Sequence, residues 1–354
     1  MYQPKFAYTE KIVSLLLEIE RVRSIFDFVK FPSDSILNYQ LETKIERVSN
    51  GVALDGSSLT KSQVKMLFTK TAFIQPTSET TEAKNLADAF TLLGNFVANS
   101  QAITVESIKE LHSVVVTGLV PINKAGLFRQ NQLVIKDQED PSLVYVPPAA
   151  IQIPVLVEEV CLWLSSVSVN NLHPGIKAAI VYYIFSAIHP FVEGNSSIAR
   201  ILTHWVLEKD GASLNSLLSF EESMDDYLDD LLEVFFKIHT EDNRLGEHDL
   251  TNWIEKFLEM LSSSYLDTRV NYEDFLSPAS KLPIKVPEQI PLSPRQMKII
   301  DYISDNGRVV MRQMRDFLPS ISEDTILRDL QLLVKKGIIE KEGSTKSASY
   351  ILKQ

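Results

Sequence analysis

Twelve consecutive residues near the middle of the chain, HPFVEGNSSIAR, hold four kinds of group that can act on a phosphate. His189, the first of them, has an ordinary pKa near neutrality and is a natural proton acceptor. Glu193 offers the hard oxygen ligand that Mg²⁺ prefers. The Gly-Asn step at 194–195 opens a predicted helix, whose unpaired N–H groups and positive dipole end suit an anion. Arg200 follows on that helix, where its guanidinium could bind a second phosphate oxygen.

These residue types predict a magnesium nucleotide beside a general base, and therefore transfer of a phosphate-containing group to a hydroxyl. Each residue also has a structural interpretation. His189-Pro190 could only end a helix, and Gly194-Asn195 could be a turn before the helix cap Ser196. Glu193 could be a surface carboxylate, and Arg200 could cover apolar surface with its stem. Each structural interpretation suffices alone, but all of them together within one short stretch are less expected than a site.

Two apolar helical patterns flank this stretch and would position it. Residues 176–187 carry apolar side chains at helical spacing, and residues 198–206 resume the pattern until Gly211 supplies a helix end. Alternating apolar residues at 132–135 and 143–146, joined by a polar turn, predict a hairpin. The fold class is therefore mainly α, with a small β-hairpin flap.

A second module follows a proline-rich stretch. Residues 276–292 have the composition of a semi-rigid linker. Residues 293–354 then predict a helix, a short helix, a third helix and two strands, which is the order of a winged helix-turn-helix. From Pro291 onward the net charge is +3, whereas the remainder of the chain carries −14.

The basic side chains of this module could contact DNA phosphates from the predicted recognition helix, its neighbour and the wing. The DNA-binding candidates are Arg312, Arg328, Lys335 and Lys346. Asp324 and Asp329 also lie on the predicted recognition helix and would repel phosphate, so weak binding is expected unless dimerisation doubles the contacts. A small α+β domain used for protein contacts is an equally good interpretation.

The composition excludes several other classes of protein. The chain has 354 residues and a net charge of −11, which disfavours whole-chain attraction to nucleic acid or anionic membrane. Its one cysteine, Cys161, lies in an apolar run, as is typical of a packed thiol in a reducing compartment. No stretch reaches the roughly 18 uninterrupted apolar residues of a spanning helix, and no histidine pair has the spacing of a zinc hydrolase. We therefore expect a cytoplasmic protein that makes no membrane contact.

The central stretch resembles the signature of Fic-domain proteins, His-x-Phe-x-Asp/Glu-Gly-Asn-Gly/Lys-Arg-x-x-Arg. Gly126-Leu127-Phe128-Arg129 and the hairpin after it are similar to the family's Gly-x-Phe/Tyr-Arg and its flap. The resemblance covers roughly residues 40 to 265, and a winged helix attached to a Fic core is a familiar arrangement. The predicted organisation is an N-terminal helical region at 1–105, a Fic core at 106–275, the linker at 276–292 and the winged helix at 293–354.

The resemblance implies transfer of AMP from ATP to a Ser, Thr or Tyr hydroxyl of a protein. His189 would be the general base, and Glu193 would hold Mg²⁺. The implied phosphate-binding residues are Gly194, Asn195, Ser196, Ser197 and Arg200. The flap, with Val134, Ile135 and Tyr145, would align the target by strand addition.

Two positions depart from the family's signature. Ser196 stands where glycine or lysine is usual, and Ser197 replaces the first arginine. The loss of one charge-assisted contact costs about 1.5 to 3 kcal/mol, which is roughly ten- to more than hundredfold in nucleotide binding or rate. A serine hydroxyl at a helix N-terminus could replace part of that contact.

Many Fic proteins also carry an inhibitory helix with the pattern Ser/Thr-x-x-x-Glu-Gly/Asn, whose glutamate pairs with the second arginine of the signature. The alignable stretch here runs from Gly51 to Gly56 and places the shorter Asp55 at the glutamate position. Asp55 could reach Arg200, but a helix that starts at Gly51 would support it poorly.

The leading expectation is a cytoplasmic bacterial homodimer with weakened or altered transfer of AMP to a protein target, using ATP and Mg²⁺. The alternative is a catalytically silent scaffold whose winged helix binds DNA or a protein partner. Removal of AMP from a modified protein would use the same site, with water as the acceptor.

Overall fold

A computed structural model describes most of the chain, in two compact units. The described residues are 2–28, 33–69, 76–136, 144–241, 245–246, 248–280, 292–319, 321–343 and 348–353. The first unit spans Met1–Leu276 and the second Ser277–Gln354. The regions predicted at 1–105 and 106–275 thus lie within one compact body.

The first unit is mainly helical, as the sequence predicts, and carries a small hairpin. Its helices are α1 (Glu10–Phe28), α2 (Ser33–Leu54), α3 (Lys61–Thr69), α4 (Ser78–Ala98), α5 (Val105–Val115), α6 (Ile153–Leu164), α7 (Val167–Asn170), α8 (Pro174–Ile188), α9 (Asn195–Lys209), α10 (Glu221–Glu241) and α11 (Thr251–Ser280). Its strands are β1 (Ile135–Lys136) and β2 (Val144–Tyr145). In the part of the chain that the structure describes, no helix combines the length and apolar character needed to cross a membrane.

Helices α8 and α9 lie in the core of this unit. α8 is apolar on all sides, which is the pattern of a helix surrounded by protein, and most of its side chains are buried. It begins at Pro174, whose fixed φ suits the first helical turn. It ends before Pro190, which disfavours helix in the residue ahead of it. α9 begins at Asn195 and buries Trp205, so the stretch between the two helices is held by buried elements at both ends.

The hairpin is shorter than the alternating pattern predicts. β1 and β2 pair antiparallel, with Ile135 opposite Tyr145. Pro147 and Pro148 have no backbone N–H to donate, and the Gln132 side chain donates to the Pro147 carbonyl at 2.7 Å. The outer parts of the predicted strands are therefore not in the ladder, and the predicted turn between the strands lies outside the described residues.

The predicted linker starts inside a helix. α11 continues through Ser280, so it includes the first residues of the proline-rich stretch, among them Pro278. Residues 281–291 lie outside the described part of the chain.

The second unit has the three helices and the two final strands that its sequence pattern predicts, and an additional strand, β3 (Arg308–Val310), that the pattern did not predict. Its elements are α12 (Pro294–Asn306), β3 (Arg308–Val310), α13 (Met311–Phe317), α14 (Glu323–Lys335), β4 (Ile339–Glu342) and β5 (Ser349–Leu352). The strands form an antiparallel sheet in the order β3-β5-β4. Ile303, Met314 and Leu330 contribute to its separate apolar core. The winged-helix interpretation stays a prediction.

One charge assigned to the outside of α14 is in fact internal. Asp329 is 5% exposed. It forms an ion pair with Arg295 and accepts a hydrogen bond from the Gln296 amide at 3.2 Å. The prediction that Asp329 repels phosphate is therefore wrong, because its carboxylate joins α14 to α12. Arg312, Arg328, Asp324 and Lys335 are exposed, and Lys346 lies outside the described residues.

Candidate functional site

His189 occupies a left-handed turn at the end of α8, with φ 48° and ψ 62°. Its N–H donates to the Phe185 carbonyl at 3.1 Å. The imidazole lines a cavity of about 160 Å³ together with Ser196 and the apolar face of α10. Burial, together with a smaller effect of the positive charge of Arg129, lowers the pKa of His189 to about 4. The ring is therefore neutral near pH 7 and can accept a proton.

The residues between His189 and α9 form a tight loop that rests on α5. Phe191 is completely buried. Gly194 has φ 77°, and a Cβ there would lie 3.0 Å from Val116, so both its conformation and its surroundings favour glycine. The Asn195 side chain closes the loop on itself: Oδ1 accepts the Phe191 N–H at 2.9 Å, and Nδ2 donates to the Phe191 carbonyl at 3.0 Å.

The amino end of α9 remains open to an anion. Gly194 is its N-cap residue, and no side chain caps it. The Asn195 side chain is engaged within the loop, so its contribution to an anion would come from its backbone N–H. The first N–H groups of α9 thus keep the capacity to bind phosphate oxygens.

Glu193 is suited to hold Mg²⁺ only together with other ligands. It is exposed, and its carboxylate has no hydrogen-bonded or ionic side-chain partner among the described residues. Within that same part of the chain, no group of three or more His, Cys, Asp or Glu could hold a metal ion. Mg²⁺ commonly binds one or two carboxylates plus substrate phosphates and water, and this donor set fits that mode.

His112 positions the loop, a role that the sequence did not reveal. Its Nε2 lies 3.1 Å from the Glu193 carbonyl, and its Nδ1 accepts the Gly126 N–H at 2.9 Å. The ring stacks on Phe191 with centroids 3.7 Å apart. Burial lowers the pKa of His112 to about 4, so the neutral ring donates from Nε2 and accepts at Nδ1. The one signal in the sequence that could have indicated this is the position of His112 among the apolar residues that α5 buries, such as Ile108, Leu111 and Val115.

Arg200 is the centre of a buried network. The side chain is 2% exposed and pairs with Asp55 through Nη2 to Oδ2 at 2.5 Å and Nη1 to Oδ1 at 3.3 Å. Nη2 also donates to the Gly51 carbonyl at 3.0 Å. Nη1 donates to the Ser196 hydroxyl at 2.5 Å. We call Arg200, Asp55, Gly51, Ser196 and Ser197 the Arg200 network.

Ser197 is part of this network rather than an open phosphate ligand. It is 4% exposed. Its hydroxyl donates to Asp55 Oδ2 at 2.9 Å and accepts from Arg200 Nη2 at 3.3 Å. The two serines that depart from the family's signature therefore both bind the Asp55–Arg200 pair.

The charges of the pair stabilise one another. Burial alone would raise the pKa of Asp55, but the Arg200 charge and the hydrogen bonds from Arg200, Ser196 and Ser197 outweigh burial, so this pKa lies below its ordinary value. Burial alone would lower the pKa of Arg200, and Asp55 reverses this. Both groups are ionised at neutral pH, and Asp55 occupies the guanidinium that the sequence assigns to phosphate.

Gly51 does not start a helix, contrary to the sequence prediction. It lies in the last turn of α2, which begins at Ser33. A Cβ at this position would lie 3.0 Å from Leu86 and 3.8 Å from the Arg200 guanidinium. Glycine therefore allows Leu86 to pack closely against α2 at this position, and the support for Asp55 is a long helix.

The flap presents its backbone rather than all three predicted side chains. Val134 is 55% exposed, and Ile135 lines the cavity beside His189. Tyr145 is 3% exposed, and its hydroxyl donates to the Ala187 carbonyl at 2.8 Å. Because side chains alternate along a strand, Tyr145 points inward and cannot dock a target as predicted.

His189, Glu193 and the open amino end of α9 come from one short stretch, and together these groups could bind and act on a phosphate. Residues 102–207 match the model of the Fic/DOC family. This segment holds α5, the flap, α8, the loop and most of α9, so this part of the chain matches a Fic domain. Asp55 lies outside the matched segment and joins the site only through the fold.

Curated relatives carry the same domain in longer chains. A protein adenylyltransferase Fic of Drosophila mojavensis is 25% identical over 210 residues, covering 57% of this chain and 40% of that protein. The protein of the same name from Drosophila erecta is 26% identical over 172 residues, covering 48% of this chain and 33% of that protein. The chain thus spans two fifths or less of the length of these relatives.

Solved structures share the fold. A Fic family protein from Desulfovibrio desulfuricans G20 superposes with a TM-score of 0.64 at 20% identity, covering 99% of this chain and 98% of that one. Fic-1 from C. elegans superposes with a TM-score of 0.62 at 20% identity, covering 76% and 74%. Identity at this level establishes the fold alone.

Proposed function

We propose that the protein transfers AMP from ATP to a Ser, Thr or Tyr hydroxyl of a protein target, in a reaction that requires Mg²⁺. The observation that carries the proposal is the open amino end of α9, whose first residues line one cavity with a neutral His189. Glu193, whose carboxylate has no side-chain partner among the described residues, lies two residues ahead of that helix. The adenylyltransferase relatives support the same reaction. When bound, Mg²⁺ would neutralise charge on the phosphates, with Glu193 as its protein ligand.

The chemistry follows from the placement of the groups. The target hydroxyl oxygen attacks the α-phosphorus and forms the new ester bond, while the bond from that phosphorus to the β-phosphate oxygen breaks and pyrophosphate leaves. His189 accepts the hydroxyl proton. The N–H groups of α9 bind the phosphate oxygens where negative charge develops. The flap backbone orients the target strand.

In the proposed reaction, the Asp55–Arg200 pair acts as a restraint. Asp55 neutralises Arg200 and fills its hydrogen-bonding capacity, so a distal phosphate must displace Asp55 to reach it. A pKa near 4 also makes His189 a weak base, because general bases work best with a pKa close to the operating pH. A bound anionic nucleotide next to the imidazole would raise that pKa.

The test uses ATP labelled at the α-phosphate with the full-length protein and Mg²⁺. Asp55→Ala is expected to raise protein labelling above the wild type, since it frees Arg200. Asp55→Ala combined with His189→Ala is the matched control and should label no better than background. Because the target is unknown, labelling is measured both on the protein itself and on the proteins of an extract that contains candidate targets.

Labelling that survives His189→Ala would contradict His189 as the base. If Asp55→Ala binds Mg-ATP in calorimetry but labels nothing in either assay, the transfer proposal fails while the nucleotide site stands.

A second candidate function rests on the other unit. Arg312, Arg328 and Lys335 are exposed, and Asp329 faces α12 instead of solvent. These observations favour a scaffold whose winged helix binds DNA, strengthened by homodimerisation. Retention on duplex DNA should then fall steeply as the salt concentration rises. A plot of the logarithm of the binding constant against the logarithm of the salt concentration should have a slope of roughly minus one for each phosphate contact. A flat salt response would exclude phosphate contacts.

A further inference from the structure

Arg129 is a buried cation that has no carboxylate partner in the part of the chain that the structure describes. It is 2% exposed, and none of the ion pairs among the described residues includes it. A buried charge is costly unless its hydrogen bonds are satisfied. This chain therefore keeps an isolated guanidinium in the core for the contacts that the guanidinium makes.

All of those contacts are backbone carbonyls at two places. Nε donates to the His189 carbonyl at 2.8 Å, and Nη2 lies 3.4 Å from the Ile188 carbonyl. Nη2 also donates to the Pro148 carbonyl at 2.6 Å, and Nη1 donates to the Asn131 carbonyl at 2.9 Å. One planar side chain thus joins the end of α8 to both ends of the flap.

The left-handed turn at His189 needs the support of these hydrogen bonds. Its φ of 48° and ψ of 62° fall in the left-handed region, which is unfavourable for a residue with a side chain. Residues persist there when their surroundings over-determine the conformation. The Arg129 N–H also donates to the Pro190 carbonyl at 2.9 Å, so the strained turn is bound from the side chain and from the backbone of one residue.

The imidazole faces few other charges. Tyr182 and Ser186 of its own helix line the same cavity, Ser196 lies on α9, and the surface of α10 there is apolar. Among the groups that act on the pKa of His189, burial lowers it most, a hydrogen bond to the Ser186 backbone raises it, and Arg129 lowers it. Arg129 is therefore the charged side chain that acts on this ring.

We propose that Arg129 is the positioning residue for His189: its guanidinium fixes the left-handed turn, holds both ends of the flap against that turn, and places its positive charge beside the imidazole. The role of His189 as the base rests on the proposed function. The positioning itself is a property of the protein without nucleotide and can be measured separately.

The test is a histidine-selective NMR titration of the full-length protein, without nucleotide. The chain has six histidines, and His189→Ala assigns the signal of interest. Arg129→Gln removes the charge and keeps two donors, whereas Arg129→Lys keeps the charge and loses the planar fork. Gln132→Ala is the matched control, because Gln132 joins flap residues through Pro147 without bonding to the turn.

Arg129→Gln should shift the midpoint of the His189 titration upward, towards the ordinary histidine value. Arg129→Lys should keep the low midpoint but change the ring's chemical shift, because the turn is less fixed. Gln132→Ala should leave both unchanged. In the Asp55→Ala background, both Arg129 variants should lower kcat on the order of ten- to hundredfold, with little change in the KM for ATP.

An unchanged His189 signal in both Arg129 variants would overturn the proposal, whatever the labelling assay gives. If both variants lose their helical circular dichroism at 25 °C, Arg129 serves the fold as a whole, and the proposal is wrong. If the His189 signal moves as expected but no variant labels protein, the positioning stands and the transfer function fails.

Discussion

The two ends of the stretch from His189 to Arg200 are held by opposite means. At His189, Arg129 binds backbone carbonyls and has no carboxylate partner among the described residues. At Arg200, the carboxylate of Asp55 supplies the main partner. A backbone clamp cannot be exchanged for a ligand without unfolding the turn, whereas one carboxylate side chain can be displaced by a phosphate. The comparison suggests a fixed base beside a phosphate contact that can be released.

The largest expected effect comes from leaving Asp55 without its partner. Arg200→Met should lower the free energy of unfolding by about 3 to 5 kcal/mol, because an uncompensated buried charge remains. Asp55→Leu in the same chain should recover a large part of that loss. Trp163, Trp205 and Trp253 all lie in the first unit, so tryptophan fluorescence during urea denaturation reports on that unit alone.

If the double variant, Arg200→Met with Asp55→Leu, were no more stable than Arg200→Met alone, the contrast between the two ends of the stretch would be wrong. The Asp55 pair would then contribute nothing specific, and Arg200 would be held by the Gly51 carbonyl and the serines, as Arg129 is held by carbonyls.

The second effect concerns nucleotide binding. Asp55→Asn keeps the size of the side chain but removes the charge, so Arg200 becomes available to a phosphate. Mg-ATP should bind roughly ten- to hundredfold more tightly in calorimetry, since a hydrogen bond to a charged group contributes about 1.5 to 3 kcal/mol.

Glu82→Gln is the control for general electrostatics. Burial and the nearby Asp55 raise the pKa of Glu82, and Glu82 is a carboxylate near the network with no hydrogen bond to Arg200. An equal gain in affinity from Glu82→Gln would mean that net charge, and not release of Arg200, controls binding.

The sequence predicted the parts of the site that depend on residue type and spacing. The mainly helical fold and the flap follow from periodicity, whereas the contact of Asp55 with Arg200 was anticipated only through the family resemblance. Residues whose importance depends on tertiary placement were not predicted. His112 was not singled out at all, and Arg129 was noted only as part of a short motif.

Ser197 illustrates why the remainder could not be predicted. Read along the chain, a serine in place of arginine is a lost cation and a weaker phosphate site. In the fold it faces Asp55, a residue far away in sequence, and thereby strengthens a competing contact. Spacing within one helix cannot indicate what approaches from α2.

The third effect is a pH dependence of the free energy of unfolding, caused by His112, which holds the loop after His189. The pKa of His112 is about 4 in the folded protein against 6.5 as its ordinary value. Between these values the unfolded chain binds more protons, so the free energy of unfolding should rise with pH from about 4 to 6.5, by up to about 1.4 kcal/mol per pH unit for one histidine.

His112→Gln should reduce the slope of the free energy of unfolding against pH by the contribution of one histidine. Glutamine can still donate to the Glu193 carbonyl, but it does not titrate. The measurement is urea denaturation at several pH values. An identical slope in the variant would mean that His112 is protonated when folded, which its acceptance of the Gly126 N–H does not allow.

The smallest effect decides how the Ser197 substitution acts. If Ser197 is only a weakened phosphate ligand, Ser197→Ala should reduce Mg-ATP affinity or leave it unchanged. If the hydroxyl belongs to the Arg200 network, its removal weakens the hold of Asp55 on Arg200, and affinity should rise by about three- to tenfold, as expected for a hydrogen bond of roughly 0.5 to 1.5 kcal/mol. Thr203→Ala is the matched control, since it removes another buried hydroxyl from α9, bonded to the Ala199 carbonyl at 2.8 Å, without touching the network. A gain in affinity with Ser197→Ala and none with Thr203→Ala would show that Ser197 helps to hold Asp55 on Arg200. No gain with Ser197→Ala would show that Ser197 is only a weakened phosphate ligand.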